Sequence, residues 1–265
     1  MTTRYDINKT KASLRRGETA LVAEINRMFN PVMTEVIAQA GFSSVWYDME
    51  HSHLDVDTLS TMILAARTAD VDVFVRIPHG PYNTVIKPLE MGAAGLIWPH
   101  CRSVEEARAF VRMAKFRPLG LRGMGGGRDN GYGTTELTEY LDRANAETLL
   151  GVMIEDAEGV EAVDGIAAVE GIDLLFVGPG DLAHSYAVER DGGHPIMQPR
   201  VLEAYDRVGD ACRTHGKVMG TAVDPGEPMR QVVARGARWL NCCHDATAVR
   251  NGYGQAREAT AEIVG

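Results

Sequence analysis

The 265-residue chain is poor in cysteine: Cys101, Cys212, Cys242 and Cys243 are the only four, and two of them are adjacent. That pattern excludes a disulfide framework or zinc ribbon and fits a reducing cytoplasm. No apolar run approaches the roughly 20 residues that cross a bilayer, so no membrane partner is expected. The opening "MTTRYDINKTKASLRRGE" has no apolar core of a signal peptide. Basic charge is not in excess either. A formal net charge of -9 argues against nucleic acid and anionic membrane as partners. The nucleotide fingerprints G-x-x-x-x-G-K-[ST] and G-x-G-x-x-G are missing, and "GMGGGR" fails the second because Arg128 stands at its last glycine position.

What is present is a rhythm. A hydrophobic fraction of 45% is enough for a full core. Short continuous apolar runs fall at 19–25, 44–50, 71–78, 94–100, 149–155, 173–178, 217–223 and 238–243. Each is bounded by turn residues, as a parallel strand buried on both faces should be. Helical patterns lie between them. "VDTLSTMILAARTAD" puts Leu59, Met62, Ile63 and Ala66 on one stripe. Ser103 and Glu106 have capping-box spacing. "PRVLEAYDRVGDACRTHG" opens on proline and closes on glycine, and "AREATAEIV" is a terminal amphipathic segment that needs a partner surface. Eight such units predict a single (β/α)8 TIM barrel over 1–265, with an open doubly wound sheet as the competing fold. Two long loops, 117–136 and 185–198, would lie on the C-terminal face if they follow the fourth and sixth strands.

Barrel active sites are built at the C-terminal ends of strands. Those ends carry Asp48, Glu50 and His51; Arg76 and Pro78; Trp98, Pro99 and His100; Glu155; and Gly178, Gly180 and Asp181. Two carboxylates converging in a closed site repel unless a cation joins them, so Glu155 and Asp181 are candidate ligands for a hard divalent ion such as Mg²⁺. Both precede helices, and capping is the alternative. His51 is a candidate general base with Asp48 orienting its ring. His51 and His53 also form a weak H-x-H zinc pattern lacking a third ligand. Arg76 must meet an anion, either substrate or an internal Asp48 or Glu50, because an unpaired buried guanidinium is costly. Arg122 is an anion contact or a loop anchor. Trp46, Trp98 and the methionines read as core or pocket wall.

Taken in order, "WYDMEH", "VRIP", "GAAGLIWPHCRSVEEA", "RPLGLRG", "VMIED" and "GIDLLFVGPGDLAHS" resemble the motifs of the HpcH/HpaI family of class II, metal-dependent pyruvate aldolases over about residues 17 to 245. The resemblance implies a (β/α)8 barrel that makes or breaks a carbon–carbon bond beside a 2-oxo acid, with an aldehyde as the other partner and Mg²⁺, Mn²⁺ or Co²⁺ as cofactor. It implies a homo-oligomer, commonly a hexamer, whose last helix exchanges between subunits. By position, Glu155 and Asp181 match the metal ligands, Arg76 the arginine at the enolate, His51 the base and Asp48 its dyad partner. Gly180, where alanine is usual, matches a position whose backbone amides contact the substrate carboxylate. Met153 stands where glutamine is frequent, and "HSYAVERDGGHP" departs from the family's short continuation. Both departures bear on the acceptor half rather than the pyruvate half.

No lysine stands at a strand end, since Lys87 and Lys115 fall in helical patterns and Lys217 opens a strand; this argues against Schiff-base chemistry. The competing readings are an oxaloacetate decarboxylase, citrate-forming synthase or CoA-ester lyase of the same superfamily, a nucleotide-binding α/β enzyme, and a non-catalytic barrel.

Overall fold

The computed structural model describes residues 8–187 and 193–264. Eight parallel strands close into a barrel in chain order: β1 Ala20–Ile25, β2 Ser44–Asp48, β3 Asp72–Arg76, β4 Gly95–Trp98, β5 Leu149–Ile154, β6 Leu174–Val177, β7 Val218–Ala222 and β8 Ala237–His244. The eight expected strands are therefore all present, most trimmed by a residue or two at their ends.

The strands are apolar throughout because their two faces bury different cores. Val45, Tyr47, Val73, Val75, Leu150, Val152 and Ile154 pack against the outer helices. Ala20, Val22, Trp46, Phe74, Leu149, Met153, Leu174, Phe176 and Trp239 fill the interior. Trp46, Phe74, Phe176 and Trp239 stack there with ring centroids 4.9–5.7 Å apart, within the range where edge and offset contacts are favourable. This aromatic layer is the floor of the C-terminal mouth. The period-2 alternation that aims these rings inward also aims the next inward residue of each strand into the mouth.

The helix stripe Leu59, Met62, Ile63 and Ala66 is fully buried in the helix Val56–Thr68. Ser103 accepts from Glu106 N at 3.2 Å, while Glu106 Oε2 reaches past the cap to Arg102 N at 2.7 Å. The helix Pro199–His215 ends at Gly216 with φ 64°, the left-handed conformation that glycine adopts without strain.

Three features differ from expectation. The opening segment forms a helix, Lys9–Arg15, that stoppers the N-terminal mouth. Its Thr10 binds Asp72 through N at 2.6 Å and Oγ1 at 2.7 Å, Lys11 pairs with Asp173 at 2.8 Å, and Leu14 joins the interior cluster. Second, the glycine-rich loop 117–136 does not follow β4. It follows the helix Val104–Ala114, leaves the barrel on the N-terminal side and lies over the helix Tyr82–Glu90. Arg122 is its buried anchor, 2.6 Å from Asp129 Oδ2 and 4.7 Å from the Phe116 ring. Arg128 donates to Met91 O at 3.0 Å. Third, the last helix runs Asp245–Val264, through Gly252 and Gly254, and only Asp245 of it is buried. The 185–198 loop does leave the C-terminal side after β6, but residues 188–192 lie outside the described part. Among the described residues no helix is long and apolar enough to cross a membrane.

Candidate active site

Glu155 follows β5 directly, and inward Leu149 and Met153 set its phase into the mouth. It is only 1% exposed. Oε1 accepts from the main-chain N–H of His100 at 2.9 Å, whereas Oε2 is buried with no hydrogen-bond partner among the described residues. Burial pushes its carboxyl up from 4.5 to about 7, and the charge of Asp181 adds to the rise; His100 and Arg76 oppose it. Asp181 lies in the first turn of the helix Pro179–Ser185, whose N-cap is Gly178, and the helix after Glu155 is capped at Asp156. Capping therefore does not account for Glu155, and an orphaned carboxylate oxygen that feels the charge of a second carboxylate is a donor set a divalent cation fits. Among the described residues no group of three or more His, Cys, Asp or Glu has metal-binding geometry. The two acids would then share an ion whose other positions go to water and substrate.

Gly178 makes this arrangement possible. A methyl group there would collide with Glu155 Oε2, while a methyl at Gly180 meets nothing within 4 Å. Gly178→Ala should displace the carboxylate and weaken divalent binding by more than tenfold. Gly180→Ala should raise helix stability by about 0.5 kcal/mol. Calorimetric titration with Mn²⁺ and thermal melts check the pair of outcomes.

The second half of the site is an ion pair. Asp48 and Arg76 face each other in register across β2 and β3. Arg76 donates from Nε to Asp48 Oδ1 at 2.8 Å and from Nη2 to Oδ2 at 2.6 Å, and Nε lies 3.4 Å from Glu50 Oε2. Asp48 is 0% exposed. Burial works against its ionised form, but the bonds and charge of Arg76 and the N–H groups of Glu50 and His51 hold its carboxyl below the ordinary range. Arg76 lies 5.5 Å over the Trp46 ring, with Nη1 4.0 Å from Met153 Sδ.

This corrects the expected dyad. Asp48 does not bond the His51 imidazole; it accepts from the main-chain N of Glu50 at 2.9 Å and of His51 at 3.3 Å, and its remaining bonds go to Arg76. The His51 side chain is 57% exposed, and its Nε2 is 3.6 Å from Glu50 Oε2, too far for a hydrogen bond. His53 packs edge-on against Phe29 at 5.1 Å, and no zinc group forms with it among the described residues.

His100 and Asp156 carry more of the site than the sequence suggested. His100 Nδ1 lies 2.9 Å from Asp156 Oδ2, which Arg102 Nε also approaches at 3.1 Å. His100 holds a positive φ of 46°, a strained state for a side-chain-bearing residue. That backbone turns its N–H onto Glu155. The signal was the histidine ending "WPH" and the second acid of "IED". Glu24, buried at the end of β1, was hidden within an apolar run.

Comparison with known proteins gives a consistent set. Residues 27–252 match the model of the family described as HpcH/HpaI aldolase/citrate lyase. The chain is 30% identical over 247 residues to the hydroxypyruvate/pyruvate aldolase of Roseobacter denitrificans, spanning 92% of this chain and 94% of that one. It is 30% identical over 257 residues to the 5-keto-4-deoxy-D-glucarate aldolase of Shigella dysenteriae, spanning 97% and 95%. The crystal structure of an HpcH/HpaI aldolase from Desulfitobacterium hafniense superposes with a TM-score of 0.87 at 30% identity, over 96% of this chain and 97% of that one.

Proposed function

Since the chain belongs to the HpcH/HpaI aldolase/citrate lyase family, we propose that it is a metal-dependent aldolase that cleaves or forms 4-hydroxy-2-oxo acids through a pyruvate-type enolate and an aldehyde. The observation that carries this reading is the buried Glu155, with one oxygen lacking a partner among the described residues and Asp181 raising its proton affinity. Glu155 and Asp181 would hold a divalent ion, Mg²⁺, Mn²⁺ or Co²⁺, which would supply Lewis-acid stabilisation of enolate charge. Arg76 brings a fixed positive charge to the enolate oxygen, and Asp48 fixes the guanidinium plane through two bonds. Gly180 offers main-chain N–H at the helix start to the substrate carboxylate. His51, exposed at the rim, takes the proton of the 4-hydroxyl directly or through water as the C3–C4 bond breaks.

The test is pyruvate with a panel of aldehydes, with and without added metal, and oxaloacetate alone. Aldol turnover that requires metal supports the reading. Turnover of oxaloacetate with no aldol reaction on any aldehyde would support a decarboxylase or synthase of the same superfamily instead. His51→Ala should lower aldol cleavage by about 10²–10⁴ and oxaloacetate decarboxylation much less, because releasing CO₂ needs no hydroxyl deprotonation. Equal losses in both would move His51 to the enolate step.

The same reading includes a homo-oligomer, a hexamer by family resemblance. On the last helix Tyr253, Ile263 and Val264 are 75–84% exposed, and an exchanged helix would cover them. Light scattering should give a mass well above 28.8 kDa; a monomer at micromolar concentration would contradict this.

A further inference from the structure

A bulge in β8 brings to the mouth residues that the reaction above does not use. Pairing with β1 runs Val22 to Asn241, then Ala23 to Cys243 and Glu24 to His244, so Cys242 is the inserted residue. Bulges re-aim the side chains that follow them. Asn241 is inward, two residues after the interior Trp239. Three residues further on, His244 would face outward in an unbroken strand. The extra residue turns it inward opposite Glu24, which continues the inward face of Ala20 and Val22.

Glu24, Asn26, Asn241 and His244 form a bonded group. Asn26 Nδ2 donates to Glu24 Oε1 at 3.0 Å, and Asn241 Nδ2 donates to Oε2 at 2.5 Å. His244 Nδ1 lies 3.0 Å from the same Oε2, and its side chain is 34% exposed. With Nδ1 committed, Nε2 is the nitrogen that can meet another molecule. The bond from Glu24 raises the proton affinity of His244; burial opposes this, and the charges of Glu24, Asp224 and Asp245 add to the rise. Glu24 pairs in register with Trp46, the ring beneath Arg76, and its charge is felt by Arg76. The group thus borders Arg76 on the β8–β1 side, whereas Glu155 and Asp181 follow β5 and β6.

Building on the aldolase reading, we propose that His244, positioned by Glu24, binds the aldehyde half of the substrate through a hydroxyl group that the aldehyde carries. A neutral hydroxyl both donates and accepts and suits an imidazole edge. A carboxylate at the same place meets three anions, Glu24, Asp224 and Asp245, against the single positive charge of a protonated His244. An alkyl group strips water from the imidazole and returns no hydrogen bond, and sites built to hydrogen-bond a substrate discriminate most strongly against analogues lacking that group.

The experiment compares glycolaldehyde, the nearly isosteric propionaldehyde, and glyoxylate as acceptors for pyruvate. In the wild-type protein kcat/KM should favour glycolaldehyde over propionaldehyde by about tenfold or more. His244→Leu should bring that ratio to near one, and His244→Gln, which keeps a donor, should retain part of it. Glu24→Leu should raise KM for glycolaldehyde more than it lowers kcat, with Glu24→Gln milder. Exchange of pyruvate methyl protons without any aldehyde reports separately whether the enolate half is assembled. A wild-type ratio preserved in His244→Leu overturns the assignment, as does a glyoxylate preference that His244→Leu removes. No exchange in the metal-loaded wild-type protein overturns the aldolase reading itself, and this assignment with it.

Discussion

Glu155→Gln or Asp181→Asn should lower turnover by about 10³-fold or more, since each removes an anionic ligand from an ion asked to stabilise developing enolate charge. The fold should survive, because a glutamine keeps an oxygen to accept from His100 N–H and Glu155 Oε2 has no partner to lose among the described residues. Calorimetry with Mn²⁺ should show binding to the wild type and none to either variant. Full activity of either variant after exhaustive chelation would remove the metal from the mechanism. The chelated protein adds a pH signature. The Glu155 carboxyl is raised from 4.5 to about 7 by burial first and by Asp181. Below about 4.5 it is protonated in both folded and unfolded chains and contributes nothing. Between these values the unfolded chain loses its proton first, so stability falls as pH rises and levels off above about 7. Melting of chelated wild type should therefore decline over that window relative to Glu155→Gln. Equal slopes would mean that Glu155 is not the destabilised acid.

Arg76→Ala should produce the largest loss of stability, about 3–5 kcal/mol, because it strands the fully buried Asp48 carboxylate without its cation. It should also depress every reaction that passes through the enolate by about 10²–10³. The two effects can be separated. The double variant Asp48→Asn/Arg76→Met leaves no uncompensated charge at position 48 and should recover most of the stability while remaining slow in exchange of pyruvate methyl protons. Denaturant unfolding and proton exchange on the same samples decide. Wild-type exchange in the double variant would show that the pair is structural and that the cation at the enolate comes from elsewhere.

The barrel was legible because parallel strands covered on both faces leave unbroken apolar runs, and eight runs with turn signals leave few other arrangements. The candidate acids stood out for the same reason: Glu155 and Asp181 follow such runs. The partners were legible only as alternatives, the pairing of Arg76 with Asp48 or Glu50 among them. Asp48 sits three residues before His51 in the chain, which suggested one dyad, yet its strand neighbour in space is Arg76, and a guanidinium in register outcompetes a ring at the rim. His244 was obscured by a single inserted residue, since a bulge is not visible in the spacing of side chains. The glycine-rich loop was misplaced because its composition looks like a lid, and only its position after a helix shows that it leaves from the opposite side. The stoppering helix Lys9–Arg15 has too few turns to show a periodic pattern.

That helix has a practical consequence. Asn8, at its start, is tied through Nδ2 to Ala94 O at 2.9 Å and Glu147 O at 3.0 Å. Those carbonyls lie just ahead of β4 and β5, so the anchorage is on the far side of the molecule from Glu155. A bead, affinity handle or fused carrier joined ahead of Asn8 would therefore hold the barrel mouth-outward. Immobilised catalyst prepared this way should keep free substrate access, whereas attachment at the Asp245–Val264 helix would compete with the subunit packing proposed for it.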